Sequence, residues 1–215
     1  AALRGAGGDV ACLAGGHTLI PAMKSRLRAP DALVALARVP GLSGMTRADG
    51  RVWIGAMTRH AEVAADPPIA ALARLAGGIG DPQVRNRGTL GGSVANNDPA
   101  ADYPAAVLAL DATVKTNKRS IRADDFFTGL FSTALEDGEI ITEIAFPIPA
   151  KAAYAKMRHP ASRFALTGVF VAKTKSGEVR VAATGASQSG VMRVPAIEAA
   201  LKATWSPAAL DAVTV

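Results

Sequence analysis

Two glycine-rich turns stand out in the sequence: AGGHTLIP at residues 14–21 and RNRGTLGGS at residues 85–93. Glycine lets the backbone turn with positive φ and approach a ligand closely, so that consecutive N–H groups can converge on anionic oxygens. A helical pattern follows the first turn at once, and the N-terminus of a helix favours negative charge. The two turns predict a phosphate cradle, with an ordinary pair of tight turns as the alternative.

The residues around the first turn predict alternating strands and a helix. A short apolar run at residues 9–14 precedes the turn, and apolar residues continue after it at helical spacing as far as Leu27. Runs at residues 32–36 and 51–55 predict two further strands, separated by Pro-Gly and Asp-Gly turns. We interpret residues 1–56 as a first subdomain of α/β type.

The second turn lies in a region that mixes both patterns. Residues 77–92 are dense in glycine and too irregular for either period. The other segments predict helices at 60–65 and 69–76, an apolar segment at 104–110, two strands about a polar turn at 114–121, and a strand at 139–146. We interpret residues 57–150 as a second subdomain of α+β type.

The clearest local pattern lies near the C-terminus. Valines alternate with other residues on both sides of Ser176-Gly177, which predicts a β-hairpin with a glycine turn. An amphipathic helix follows at residues 195–203, and Ser206 before Pro207 is typical of a helix start. Residues 151–215 are interpreted as a small α+β domain, with a sheet covered by helices on one face.

Composition excludes several classes of protein. The 215 residues are 49% hydrophobic and 20% charged, which is typical of a globular chain and not of a disordered one. The single cysteine, Cys12, cannot form an internal disulfide, hold an iron–sulfur cluster or build a cysteine-rich zinc site. The net charge of +6 is spread along a chain with only 5% aromatic residues, so we expect a solvated basic surface and not a nucleic-acid site.

We also expect no transmembrane segment, because no apolar stretch approaches the roughly 20 residues that span a bilayer. The chain does not open with the charged, apolar and small-residue regions of a signal peptide, which suggests a cytoplasmic protein, at most peripheral to the inner face of the membrane. The chain starts at Ala1 and not at Met, so a leader or a first element is expected to precede it.

Familiar catalytic motifs fail when they are tested. Gln83 stands where the dinucleotide fingerprint that would start at Gly78 needs glycine, and the sequence has no Gly-Lys pair for a P-loop. Ser93 and Ser187 each lack the closing glycine of a nucleophile elbow. The three histidines are widely separated in the sequence, so we expect neither a metal site nor an acyl-transfer triad.

Several segments together closely resemble the FAD-binding medium subunits of carbon monoxide dehydrogenase and its molybdenum hydroxylase relatives, the xanthine dehydrogenase-like family. The segments run nearly from end to end of the chain: AGGHTLIP at 14–21, DPQVRNRGTLGGS at 81–93, DPAAD at 98–102, EIITEI at 139–144, YAKM at 154–157 and RFA at 163–165. Relative to that family, the chain is expected to lack an opening segment, a closing helical segment and a few residues near 66–68.

The resemblance implies a PCMH-type fold, in which FAD lies between two α/β subdomains and a small α+β C-terminal domain follows. It implies that Asp102 lies near the ribityl or flavin end, that Ile140 or Ile141 packs on the isoalloxazine, and that Lys156 places a positive charge near it. An exposed surface lysine is the alternative for Lys156. Around the FAD pyrophosphate, the resemblance places Ala14, Gly15, Gly16, His17, Thr18, Thr89, Leu90, Gly91, Gly92 and Ser93, and it adds Leu19 to the FAD-binding residues.

The resemblance also implies a division of labour. A large subunit with the molybdenum cofactor oxidises the substrate, a small subunit with iron–sulfur clusters passes electrons on, and the flavin of this chain delivers them to an external acceptor. The chain itself would then carry no catalytic residue and no metal, and the assembly would be a dimer of heterotrimers. Two alternatives stay open: an FAD oxidoreductase with its own substrate, and a non-catalytic module that binds a polyanion.

Overall fold

The computed structural model describes residues 8–65 and 68–214, which form short helices and strands. The strands are β1 (Val10–Leu13), β2 (Ala32–Ala35), β3 (Met45–Ala48), β4 (Arg51–Gly55), β5 (Thr113–Thr116), β6 (Ser120–Arg122), β7 (Phe127–Gly129), β8 (Ser132–Thr133), β9 (Ile141–Pro147), β10 (Lys151–Arg158), β11 (Ala165–Lys173), β12 (Val179–Thr184) and β13 (Met192–Arg193). The helices are α1 (Leu19–Lys24), α2 (His60–Ala65), α3 (Ala70–Gly77), α4 (Pro82–Arg85), α5 (Leu90–Asn96), α6 (Tyr103–Ala109), α7 (Ala123–Phe126) and α8 (Pro195–Ala203), and a turn of 3-10 helix covers Pro207–Leu210.

The first glycine-rich turn connects a strand to a helix, as the sequence predicts. Strands β1 and β2 pair in parallel, with Cys12 opposite Val34, and α1 lies in the connection between them. The helix ends at Lys24, before the apolar pattern ends at Leu27, because Arg26 adopts a left-handed φ of 58° that a helix cannot continue.

A five-stranded antiparallel sheet in the order β3-β4-β9-β5-β6 forms the centre of the molecule. Val52 in β4 faces Phe146 in β9, and Val114 in β5 faces Ile144, so strands that are distant in sequence meet in one sheet. These side chains are fully buried. The sheet combines residues from both sides of the division expected near residue 56, and that division stays a prediction.

The core lies between this sheet, the helices and the C-terminal sheet. Every residue of α6 is buried, and its apolar run therefore forms a helix that is covered on all sides. The C-terminal strands form an antiparallel sheet in the order β10-β11-β12-β13, whose inner face adds Tyr154, Phe170 and Ala182 to the same core.

The predicted C-terminal hairpin and helix are confirmed. Strands β11 and β12 pair on either side of the glycine turn, with Val171 opposite Val181. Helix α8 covers the outer face of β12, where Leu201 packs with Val179 and Val181. The buried Arg180 ties β12 to the interior, since its guanidinium donates to the Leu108 carbonyl at 3.0 Å.

Residues 77–92, which fit neither period, contain α4 and the start of α5. Long-range contacts hold this segment in place, because the Leu90 N–H donates to the Thr58 carbonyl at 3.0 Å and the Gly91 N–H to the Ala56 carbonyl at 2.8 Å. These bonds anchor the second glycine-rich turn to residues 56–58, and Gly15 of the first turn lies against Arg87 and Gly88. Among residues 8–65 and 68–214, no helix is long and apolar enough to cross a membrane.

Candidate functional site

A cavity of about 570 Å³ opens between the two glycine-rich turns and the start of β9. This volume is in the range of small-molecule and cofactor sites. Most of the residues predicted from the sequence line it: Ala14, Gly15, Gly16, His17, Thr18, Leu19, Thr89, Gly91, Gly92, Ser93, Asp102, Ile140 and Ile141.

The first turn presents a row of free donors to this cavity. Within the described part of the chain, the backbone N–H groups of residues 15–19 make no hydrogen bond. Gly15 packs against the second turn so closely that a Cβ there would lie 2.3 Å from the Arg87 carbonyl oxygen, and Gly16 has a φ of +77°. Both positions therefore require glycine, and the turn offers consecutive N–H groups as an anion nest does.

The second turn contributes in a different way from the prediction. Three of its N–H groups are already bonded, those of Leu90 and Gly91 to backbone carbonyls and that of Gly92 to the Thr89 hydroxyl oxygen at 3.2 Å. A Cβ on Gly91 would lie 2.5 Å from the Ala56 Cβ, so close packing against Ala56 requires glycine at this position. What the turn can offer to a ligand is the hydroxyls of Thr89 and Ser93, which line the cavity.

Two of the predicted site residues do not line the cavity. Leu90 is fully buried in the hydrophobic core. Lys156 lies behind Asp102, with its Nζ 2.9 Å from the Asp102 Oδ1 and 3.3 Å from the Gly78 carbonyl oxygen. Its side chain is only 4% exposed, which excludes the alternative of a surface lysine.

Asp102 is the centre of a small buried polar cluster. It accepts hydrogen bonds from Lys156 and from the Tyr154 hydroxyl, and it reaches the cavity between them. Burial raises the pKa of Asp102, while the Lys156 ammonium and the Tyr154 hydroxyl act in the opposite direction. The same burial, together with the Asp102 charge, raises the pKa of Tyr154, which therefore remains a donor.

The sequence has clear relatives. Residues 1–149 match the family described as FAD binding domain in molybdopterin dehydrogenase. The chain belongs to this family. It is 35% identical over 202 residues to the carbon monoxide dehydrogenase medium chain of Hydrogenophaga pseudoflava, an alignment that covers 87% of this chain and 70% of that one.

Other members of this FAD-binding family are also similar to this chain. The chain is 34% identical over 203 residues to the nicotine 6-hydroxylase medium subunit of Paenarthrobacter nicotinovorans, covering 88% of this chain and 71% of that one. The crystal structure of carbon monoxide dehydrogenase from H. pseudoflava contains a chain that superimposes with a TM-score of 0.88 at 37% identity, covering 97% of this chain and 78% of that chain. This chain is accordingly a flavoprotein subunit of an oxidoreductase, with FAD as its cofactor.

The cavity fits FAD on its own chemistry. A diphosphate needs several donors at close range, and the free N–H groups of residues 15–19 supply them, with no Cβ at Gly15 and Gly16. Apolar side chains at Ile140 and Ile141 line another part of the cavity, as a planar ring system requires. Within the described ranges, no group of His, Cys, Asp and Glu side chains could hold a metal ion.

The cavity also contains residues that sequence analysis did not assign to the FAD site. Among them are His60, Ile79, Asn96, Asp98, Leu135, Glu139 and Phe164. Asp98 and Phe164 belong to segments that carry the family resemblance, so their neighbourhood was a usable signal. His60 and Ile79 reach the cavity only through long-range packing, which no local pattern predicts.

Proposed function

We propose that this chain is the electron-transfer subunit of a molybdenum hydroxylase, most like the medium subunit of carbon monoxide dehydrogenase. It would take electrons from the iron–sulfur clusters of a small subunit and pass them to an external acceptor. A large subunit with the molybdenum cofactor would oxidise the substrate, in a dimer of heterotrimers. The names of the relatives as medium chains and subunits support an assembly with other polypeptides.

The observation that carries the proposal is the row of unbonded N–H groups of residues 15–19 in the wall of the cavity. Gly15, Gly16 and Leu19 are half-buried and the two residues between them are exposed, and a consecutive row of unbonded N–H groups in a cavity wall suits a ligand with several acceptors. A pyrophosphate has such acceptors. Thr89 and Ser93, which carry hydroxyls, line the same cavity.

The remaining residues have roles at the other end of the cofactor. Ile140 or Ile141 would pack on the isoalloxazine, while Asp102 would lie near the ribityl or flavin end with Lys156 behind it. Bound FAD would supply the chemistry that links one-electron donors with a two-electron acceptor. A cytoplasmic location stays a prediction, which cell fractionation would test.

Ser93 offers a sharp test of where the pyrophosphate lies. Its hydroxyl makes no hydrogen bond within the described part of the chain, and its position near the N-terminus of α5 tolerates a carboxylate. We expect Ser93→Asp to weaken FAD binding by on the order of a hundredfold, because a second negative charge would lie close to the phosphates. The affinity is measured by titration of the full chain with FAD, followed by flavin absorbance and fluorescence.

Ser93→Asn is the matched control, since it has the shape of aspartate without its charge. We expect the asparagine variant to bind FAD at least tenfold more tightly than the aspartate variant, at an equal melting temperature. Equal affinity of the two variants for FAD would show that the phosphates do not lie close to Ser93. A full chain that stays colourless with FAD, even with its partners, would reject the proposed function and leave the polyanion-binding alternative.

A further inference from the structure

The turn between β5 and β6 holds the segment that leads into β9. We call residues 134–140 the wall segment. Asn117 pairs with Ile140 in both directions, because its N–H donates to the Ile140 carbonyl at 3.1 Å and its Oδ1 accepts from the Ile140 N–H at 2.8 Å. The Asn117 Nδ2 also donates to the Gly138 carbonyl at 3.1 Å, and Arg119 donates to the Ala134 carbonyl at 2.7 Å.

Glu139 is the centre of these contacts. Its side chain is 0% exposed, and each carboxylate oxygen accepts two hydrogen bonds. Oε1 accepts from the Thr116 hydroxyl at 2.7 Å and from the Arg119 Nε at 3.1 Å. Oε2 accepts from a terminal guanidinium nitrogen of Arg119 at 3.2 Å and from the Glu136 N–H at 2.9 Å. The carboxylate thus closes the wall segment on itself and fastens it to the β5–β6 turn.

The wall segment reaches the cavity. Leu135, Glu139 and Ile140 line it, and Ile141 continues the same wall as the first residue of β9. The positions of these apolar side chains depend on the path of the segment, and the segment has no regular secondary structure of its own. Its path is therefore set by the bonds of Glu139 and Asn117.

We propose that Glu139 is a positioning residue for the flavin, which acts by holding the wall segment so that Ile140 or Ile141 meets the isoalloxazine. This inference rests on the proposed function, because it assumes that the cavity binds FAD. Glu139 acts through its neighbours and has no contact with a reacting atom.

The negative charge is essential to this role. All the partners of the carboxylate are donors, so a glutamine would direct its own NH2 group at one of them and would leave the Arg119 guanidinium without its buried counter-ion. The hydrogen bonds from Arg119 lower the pKa of Glu139 to about 2, so the group stays ionised at any pH at which the protein is used.

The test compares the binding of FAD with the binding of ADP. FAD contains the adenosine diphosphate unit of ADP, while only FAD carries the ring system that would meet the wall segment. In the full chain, Glu139→Gln is expected to weaken FAD binding by on the order of tenfold, because charge-assisted hydrogen bonds in the wall are lost. The affinity for ADP is expected to change by less than about twofold, because the first turn is untouched. The visible spectrum of bound FAD should shift as its surroundings change.

Glu136→Gln is the matched control. It makes the same chemical change three residues earlier in the same segment, but the Glu136 side chain is 58% exposed, and its contacts with Lys118 and Arg119 are surface ion pairs. We expect Glu136→Gln to bind both ligands and to give the same flavin spectrum as the wild type.

The outcomes separate the inference from the proposed function. If Glu139→Gln weakens the binding of FAD and of ADP equally, or weakens neither, the positioning role of Glu139 is overturned. FAD binding by the wild type in the same experiment would still support the proposed FAD site. A wild-type chain that binds neither ligand would reject the proposed function, and the inference with it.

If Glu139→Gln does not fold, Asn117→Ala removes bonds to Ile140 and Gly138 and should show the same difference between the ligands. Equal affinities for both ligands in that variant and the wild type would likewise overturn the inference.

Discussion

His60 is a buried histidine whose environment opposes its protonation. It is 5% exposed, its ring packs at 5.3 Å from the Tyr103 ring, and its Nδ1 has no hydrogen-bond partner among residues 8–65 and 68–214. Burial lowers the pKa of His60 to about 4, and positive charge on His17 and Arg85 acts in the same direction. The folded state therefore keeps this imidazole neutral at a pH where the unfolded chain takes up a proton.

The stability of the protein should fall as the pH is lowered through this window. Above pH 6.5 the histidine is neutral in both states, and between pH 6.5 and about 4 only the unfolded chain gains a proton. The loss attributable to His60 amounts to about 3 kcal/mol, because each pKa unit corresponds to about 1.4 kcal/mol. Urea unfolding at a series of pH values measures it.

His60→Gln removes the titrating group and should flatten the curve between these pH values, even if the variant is less stable at neutral pH. His159→Gln, which changes an exposed histidine, should keep the wild-type pH dependence because His60 is intact. If His60→Gln still loses stability between pH 6.5 and about 4, another titrating group causes the pH dependence.

Helix α5 shows how one side chain defines the start of an element. Thr89 precedes the helix with extended backbone angles, and its hydroxyl oxygen accepts from the Gly92 N–H at 3.2 Å. Thr89→Val keeps the shape of the side chain and removes this cap, so we expect the free energy of unfolding to fall by about 1 kcal/mol. Thr89→Ser retains the hydroxyl, so its free energy of unfolding should fall by only a few tenths of that amount. Denaturant titration measures the free energy of unfolding of both variants. Equal losses would show that the methyl group, and not the cap, is what matters.

The elements that the sequence predicts are those with a strong local pattern. The hairpin β11–β12 and helix α8 follow from alternation and from helical spacing alone. Helix α5 is missed because Gly91 and Gly92 weaken helix propensity, while tertiary bonds from Leu90 and Gly91 stabilise its first turn. Strand β3 is missed because its exposed residues Thr46 and Arg47 have no apolar alternation, and pairing with β4 creates the strand.

At the scale of the whole molecule, the site is built from segments that only the tertiary fold brings together. Most of the residues that the family resemblance predicts do line the cavity, since both glycine-rich turns carry family motifs. It does not predict that the N–H groups of the second turn are used internally, because the bonds from Leu90 to Thr58 and from Gly91 to Ala56 depend on the packing of two distant segments. Lys156 shows the same limit, since only the structure reveals that it is buried with Asp102.

The net charge of the molecule provides a test between the flavin site and a polyanion site. The charge of +6 is dispersed, whereas the donors for the diphosphate are backbone N–H groups of residues 15–19 inside a cavity. Few counter-ions are released when one diphosphate binds there, so the dissociation constant for FAD should rise by no more than about tenfold between about 50 and 200 mM salt. A surface that grips a polyanion through many lysines and arginines would lose on the order of a thousandfold over the same range. Titrations of the full chain with FAD and with a single-stranded oligonucleotide at both salt concentrations measure the two slopes. A steep slope for FAD would place its phosphates on the basic surface and not in the cavity.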